Sequence, residues 1–342
     1  NCRTLDNDPG QSMADIWHSR GVCLTGRYTH LWNQLLPRLR TERPDARLSC
    51  YAYSTYRETR ADTSLHEGVV LAVVHTYDER ARQQWRNWSA VGAQLFLRPN
   101  WFHMGACFPH LPLHRAGDWL CFARGEALCG IWFDSLLGYW ATQGPFYYLV
   151  ARMGARPDLS VDDIIDEYCR AFGAAAGTVR DYLAYWEART EELAVPVPAG
   201  GALSQNVDGL HERTCRDMGI NVHPLHASWH ILPVVAADPV LAPARDLLAT
   251  ARVQADGDAL VLARLDFLSD GLDHLARVRD VIAAADAGDH ETAVRRREKL
   301  CRREDELTQR HVVWGPSLRH NLARRRVRPW HDDGAALGLD GM

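Results

Sequence analysis

The sequence predicts an α/β fold: half of a β/α barrel, about four parallel strands with their helices over residues 1–158, then an all-helical region over residues 159–342. Three observations carry this. Gly68 to His75 (Gly-Val-Val-Leu-Ala-Val-Val-His) is a nearly continuous apolar run, the pattern of a parallel strand buried on both faces. Short apolar runs of this kind alternate with segments of helical period, as βαβ units require. Beyond Pro157 the strand pattern stops and only helical periodicity remains.

Leu31, Trp32, Leu35, Leu36 and Leu39 follow helical spacing within Tyr28 to Arg40, and Pro44 ends that run. Leu48 to Tyr53 reads as the first strand and Gly68 to His75 as the second. Asp78 to Val91 returns to helix, with Trp85 and Trp88 on one face, and Gln94 to Leu97 is the third strand, stopped by Arg98-Pro99-Asn100. Leu113 to Ala127 is helical. Gly130 to Phe133 is the fourth strand and ends on Asp134; a loop of Gly, Tyr, Trp and Gln then leads to a helix entered at Pro145, a residue suited to a first turn. Leu159 to Phe172 is a helix with Ser160 as N-cap and Asp162 and Asp163 where the helix dipole favours negative charge. Thr178 to Leu193 is a further helix, Ala194 to Gly201 a Pro- and Gly-rich linker, and Pro239 to Ala255, Asp258 to Ala285 and Asp289 to His311 three amphipathic helices with Arg-rich solvent faces. No internal repeat is evident.

Composition narrows the function classes. The 342 residues are 46% hydrophobic, enough for a substantial core, and the net charge of −4 argues against nucleic acid or a membrane surface as partner. The basic run Arg324-Arg325-Arg326-Val327-Arg328 reads as a solvated helix end. No apolar run reaches the roughly 18–20 residues of a membrane span. Nine cysteines without regular spacing do not form a disulfide framework; Cys50, Cys121, Cys129 and Cys169 read as buried small hydrophobes, which fits a reducing, cytoplasmic compartment. No signal peptide is read in the sequence, which says little because it begins at Asn1 and not at Met, so localisation is left open. Asn1 to Gly10 reads as the middle of a loop, so residues upstream of Asn1 are expected.

In a β/α barrel the chemistry gathers at the C-terminal ends of the strands. The first strand ends at Tyr51, Tyr53 and Tyr56, the second at His75 and Tyr77, and the third at Arg98, Asn100, Trp101 and His103. The fourth ends at Asp134, with Trp140 and Gln143 in its loop. Aromatic faces stack on the apolar face of a sugar ring, while Arg, Asn, Gln and Asp make paired hydrogen bonds to hydroxyls or a carboxylate. Together these ends point to a polar, ring-shaped ligand: a carbohydrate. Each residue also has a plainer reading. Tyr51 or Tyr53 fills the barrel interior, Arg98 forms an ion pair with Asp134, Asp134 holds a loop backbone, and Trp140 and Gln143 cap the last helix.

Glycosidases usually need two carboxylates flanking the bond. Asp134 is one; Glu58, Asp62 and Glu67 lie after the first strand without a clear role as the second. His211, Cys215, His223, His226 and His230 match no closed zinc spacing, so neither a metal nor another cofactor is expected. His103, His110 and His114 follow the third strand, the last two read as structural or solvent-exposed.

Residues Gly130–Met153 and Pro157–Ala175, together with Asn1–Asp6, Asp45–Ser54 and Leu97–Asn100, resemble a bacterial family known as domain of unknown function 4838. The likeness covers Asn1 to Leu193 well and the helical tail loosely. Members look like glycoside hydrolases of the alpha-glucuronidase and beta-hexosaminidase type, with a TIM barrel and a C-terminal helical region. The resemblance implies that these strands are the last four of a (β/α)8 barrel, its C-terminal half. It also implies a missing N-terminal half-barrel, expected to pack against this chain and to carry the acid/base carboxylate, with Asp134 as a substrate-binding or second carboxylate.

The leading expectation is therefore a glycoside hydrolase acting on a polysaccharide or glycan fragment. Asp134 is its catalytic or hydroxyl-binding carboxylate; Tyr53, Trp101 and Trp140 are stacking surfaces; Arg98, Asn100 and Gln143 orient the sugar. Two alternatives stand beside it: a non-catalytic carbohydrate-binding protein on a degenerate barrel, and an inactive fragment whose unpaired sheet edges favour association.

Overall fold

The computed structural model describes residues 23–74, 79–103, 107–133, 136, 138–193 and 231–314. The metal-like histidine cluster, the 194–201 linker and the 324–328 basic run lie outside these residues, as do His75, Tyr77 and Asp134. The chain divides into two compact units. The first lies within Asn1–Phe102 and Asp118–Ser135 with Val197–Asn206, and the second within His103–Gly117, Leu136–Pro196 and Val207–Met342.

The first unit is built on a four-stranded, all-parallel sheet of order β1-β2-β3-β4: Leu48–Ala52, Val69–Val73, Gln94–Leu97 and Leu128–Ile131. Strands adjacent in sequence are adjacent in space, each separated by a crossover, which is the βαβ order the alternating pattern predicts. The register aligns Cys50 with Leu71 and Leu95, and Ala52 with Val73 and Leu97, and this row of the sheet is buried. Against it lie α1 (Thr25–Glu42), α2 (Glu79–Ala90) and the C-terminal part of α3 (Leu113–Arg124), contributing Trp32, Leu36, Trp85, Trp88, Trp119 and Leu120 to the core. Two of the buried indoles donate to carbonyls: Trp85 Nε1 to Glu126 O at 2.6 Å and Trp88 Nε1 to Arg57 O at 2.7 Å.

The opposite row aligns Tyr51, Ala72, Phe96 and Gly130. Here Ser49 is exposed and Tyr51, Val70, Gln94, Phe96 and Gly130 are only half-buried. The sheet thus has a dry face under helices and a wetter face on which the aromatic side chains lie.

The fourth strand runs Leu128–Ile131, two residues earlier than Gly130 to Phe133, and so does not reach Asp134. Two local features set this. Ala127 adopts φ 62°, which turns the chain straight from α3 into the sheet, and the β3–β4 ladder skips a residue between Leu95 and Phe96. Gly130 sits beneath the Phe96 ring, where an added Cβ would come within 2.2 Å of it.

The second unit is helical. It comprises α4 (Trp140–Ala155), α5 (Val161–Arg170), α6 (Ala176–Leu193), α7 (Asp238–Gln254), α8 (Ala259–Asp286) and α9 (His290–Arg310), with the start of α3. The Ser160 cap is present in full: Asp163 N donates to Ser160 Oγ at 3.1 Å, and Ser160 N to Asp163 Oδ2 at 3.0 Å. Asp258 caps α8 by accepting from Leu260 N and Val261 N, and Asp289 caps α9 by accepting from Thr292 N at 3.0 Å.

The helix expected to open at Pro145 opens at Trp140 instead, with Pro145 inside it. Gly138, at φ 78°, turns the chain, and the Thr142 and Gln143 amides close on Tyr139 O at 3.2 and 2.8 Å. Burial of Ala141, Thr142, Gln143 and Pro145 in this first stretch outweighs the one hydrogen bond that proline removes. The cysteine reading also needs correction. Cys50 and Cys169 are buried, as is Cys107, but Cys121 and Cys129 are exposed, because each lies on the solvent side of its own element.

Candidate functional site

The sheet ladder continues past the ends of the strands. Arg98 N donates to Val73 O at 3.0 Å and Trp132 N to Leu97 O at 2.8 Å, so both residues stay in register at the C-terminal edge. Side chains alternate along a strand; Tyr51, Arg98 (two beyond Phe96) and Trp132 (two beyond Gly130) therefore share the wetter face. There the three side chains converge. The Arg98 guanidinium carbon lies 5.5 Å from the Tyr51 ring centroid and 5.6 Å from that of Trp132. The two rings stand 6.3 Å apart, tilted by 49°. Three strand spacings of about 4.8 Å would set β1 and β4 some 14 Å apart, so the rings lean toward each other over the guanidinium. Both contacts are within cation–π range.

Arg98 Nη1 donates to Asn100 Oδ1 at 2.6 Å, which orients the Asn100 amide, and Asn100 is buried. Trp132 keeps 51% of its surface exposed and Tyr53 keeps 42%, leaving two aromatic faces open beside this cluster. Trp132 is the residue that sequence reasoning missed. The sequence pattern places it inside the fourth strand, and the signal that points to it is the glycine two before it, which shares its face and leaves the Phe96 ring room.

The other candidates fall into three settings. Tyr56 stacks on Tyr28, with centroids 4.0 Å apart, in a small aromatic cluster with Trp32. Burial, helped by the neighbouring Tyr28, Tyr53 and Tyr51 hydroxyls, pushes its hydroxyl above the ordinary range and keeps it protonated. Trp101 is buried and packs on Phe133 at 5.5 Å, so its ring serves the base of the loop. Trp140 and Gln143 belong to the helical unit. Gln143 is buried there and accepts from Tyr147 Oη at 2.9 Å, and Trp140 meets the Tyr147 ring edge-on at 5.1 Å. His75, Asp134 and the side chain of His103 lie outside the described residues.

The three carboxylates after β1 each have a cationic partner. Glu58 accepts from Arg80 and from Gln84 Nε2, the latter at 3.0 Å. Its partial burial would raise it, but the hydrogen bond and charge of Arg80 hold it below the usual range. Asp62 is held low by Arg60 at 3.1 Å, and Glu67 pairs with Arg40 at 3.3 Å. A general acid needs a raised carboxyl, and Glu58 and Asp62 are tuned the other way. Among the described residues, no cluster of His, Cys, Asp and Glu could hold a metal ion, and no helix is long and apolar enough to cross a membrane.

The family described as Domain of unknown function (DUF4838) matches residues 1–184. The chain belongs to that family. Its match spans the whole sheet and reaches through α5 into α6, so the Tyr51–Arg98–Trp132 cluster is built entirely from the family's own segment. Neither a curated protein nor a solved structure matches the chain.

Proposed function

We propose that this chain is part of a carbohydrate-active protein of the glycoside hydrolase kind, on the C-terminal half of a TIM barrel. Its sugar would lie on the aromatic surface at the C-terminal edge of the sheet. The observation that carries the reading is the Tyr51–Arg98–Trp132 cluster with Asn100: two rings and a fixed guanidinium at the edge where β/α barrels place their ligands, with Trp132 half open. In the reaction Asp134, three residues past β4 in sequence, is the carboxylate assigned to the sugar, as base, nucleophile or hydroxyl ligand.

Two surfaces support the half-barrel. All-parallel sheets are normally covered on both faces, yet the Tyr51–Phe96 face is only half-buried. On the outside of α1, Leu31, Leu35 and Leu39, spaced four apart, are exposed. Four further strand–helix units would close the one and cover the other.

A second reading, a binding protein without catalysis, is favoured by the carboxylates: Glu58, Asp62 and Glu67 are all paired with arginine. A panel of aryl-glycosides with the wild type and Asp134→Asn separates the two. Turnover abolished by the substitution supports the hydrolase. Turnover unchanged in Asp134→Asn removes Asp134 from the mechanism, and sugar binding without turnover of any member selects the second reading.

A further inference from the structure

Five Asp-Gly steps occur in the sequence, of which Asp208-Gly209, Asp333-Gly334 and Asp340-Gly341 lie outside the described residues. The other two, Asp256-Gly257 and Asp270-Gly271, are the same dipeptide in opposite settings. In such a step the glycine nitrogen can reach the aspartyl Cγ through a five-membered ring, and no Cβ on the second residue hinders the approach.

Asp256 and Gly257 are the whole connection between the C-cap of α7, Ala255, and the N-cap of α8, Asp258. Both are exposed. Asp256 has φ 45° and Gly257 φ 81°, so two successive residues are left-handed; for the aspartate, which has a Cβ, that conformation is costly. The amides on either side are committed, Asp256 N to Val253 O at 3.3 Å and Asp258 N to Ala255 O at 2.9 Å, whereas Gly257 N has no acceptor among the described residues. A Cβ built on Gly257 would meet nothing within 4 Å, so the step has open space around it.

Asp270-Gly271 is closed to the same chemistry. It lies inside α8, where the Gly271 amide belongs to the helical ladder. The Asp270 carboxylate is buried and accepts from Arg303 Nη2 at 2.8 Å, Arg310 Nη1 at 3.1 Å and His311 Nε2 at 2.8 Å, so it is held away from the next amide. A Cβ on Gly271 would lie 2.8 Å from Ala141 Cβ, which leaves the backbone no room to rearrange.

We propose that Asp256-Gly257 is a covalent modification site, at which the chain converts to isoaspartate with water as the only co-reactant. Gly257 N attacks Cγ of the protonated Asp256 carboxyl. The N–Cγ bond forms, the Cγ–OH bond breaks, and the hydroxyl leaves as water with the amide proton. Water then adds to the succinimide ring. Breaking the new N–Cγ bond returns aspartate; breaking the bond from Gly257 N to the Asp256 main-chain carbonyl leaves the chain running through Cβ and Cγ beside a free α-carboxylate. Nothing is oxidised or reduced, and the product has the mass of its parent. It lengthens a two-residue connection by one backbone atom, and that connection sets the Asp258 cap, which accepts from Leu260 N at 2.9 Å and Val261 N at 3.1 Å.

The test is ageing of the intact chain at neutral pH and physiological temperature, then tryptic digestion and methylation of the peptides with protein L-isoaspartate methyltransferase. Asp256 and Asp270 fall on separate peptides, Val253–Arg264 and Leu265–Arg277. The methyl label should accumulate on the first and stay absent from the second. A sample aged in urea should carry it on both, because there the fold no longer protects Asp270. Asp256→Gly removes the carboxyl while accepting the positive φ, and should lose the label from its peptide. The urea midpoint should fall on ageing by more in the wild type than in Asp256→Gly; an equal fall overturns the coupling to the Asp258 cap. Absence of label from the Asp256 peptide of the native chain, or equal labelling of the Asp256 and Asp270 peptides there, overturns the proposal.

Discussion

Replacing Trp132 by alanine removes the open ring of the sheet-edge surface. The side chain is 51% exposed, so about half of its roughly 200 Å² of side-chain surface is open to a ligand. Covering about 60–100 Å² of apolar ring at about 25 cal/mol per Å² contributes roughly 1.5–2.5 kcal/mol, or about 10- to 60-fold in affinity. The fold loses a comparable amount: the buried half, about 100 Å² at the same coefficient, contributes roughly 2.5 kcal/mol, and the contact with the Arg98 guanidinium at 5.6 Å adds on the order of 0.5–1 kcal/mol. Trp132→Ala should therefore lower the urea midpoint, and, in affinity electrophoresis without urea where the variant is folded, weaken binding of a soluble polysaccharide at least about tenfold. Val253→Ala, exposed on α7, is the matched control and should change neither. A polysaccharide whose migration is retarded equally by wild type and Trp132→Ala would refute the argument that this ring forms the ligand surface.

Four further outcomes follow from the geometry. Ser160→Ala removes the α5 cap and should cost about 1 kcal/mol of stability in urea unfolding. Thr190→Val leaves the Leu111 amide, now donating to Thr190 Oγ1 at 2.9 Å, buried without a partner, and should cost about 1–3 kcal/mol by the same measurement. His114 is partly desolvated, which lowers it, but Glu187 at 2.9 Å and Asp162 prevail and raise it above 6.5. Its folded value is the higher, so its contribution is complete below about pH 6.5 and is lost as pH rises through the raised value; His114→Gln should flatten the fall in urea midpoint above pH 6.5. Thiol labelling with mass mapping should find Cys121 and Cys129 reactive in the native protein but Cys50, Cys107 and Cys169 only after unfolding, since these are buried and burial pushes the Cys50 thiol to about 12.

What the sequence shows of this fold depends on which forces act locally. Val69 to Val73 is legible because it is apolar throughout, four of its five residues being buried and Val70 half-buried, and the Ser160 cap because Ser and Asp three apart satisfy each other's backbone. The start of α4 was not legible. Pro145 is the strongest local helix signal there, and tertiary burial of the preceding turn overrode it. Trp132 was hidden for a related reason: apolar composition extends Gly130 to Phe133 as a strand, whereas the ladder has already shifted at Leu95 and releases the ring into the edge loop. Arg98 and Asn100, set by a strand end and a proline, needed only the position of β3 to be placed. The pairing of His274 with Glu304, thirty residues apart on two helices, leaves no trace in spacing at all.

The choice between binding and hydrolysis turns on charge at the sheet edge. Arg98 brings a full positive charge, fixed by Asn100 and flanked by the Tyr51 and Trp132 rings. A cation at that spot favours an ionised carboxylate beside it, which suits a nucleophile or base and opposes a proton donor. Glycosidic cleavage also needs an acid on the other side of the bond, within about 5–10 Å of the first carboxylate. Glu58 and Asp62, lowered by Arg80 and Arg60, are poor sources of that proton. On the proposed hydrolase reading, the acid would come from a strand of the proposed barrel facing the half-buried Tyr51–Phe96 surface. Catalysis and the closing of the barrel are then one requirement: adding the strands that cover this face should restore turnover of an aryl-glycoside at the same time as it buries Phe96.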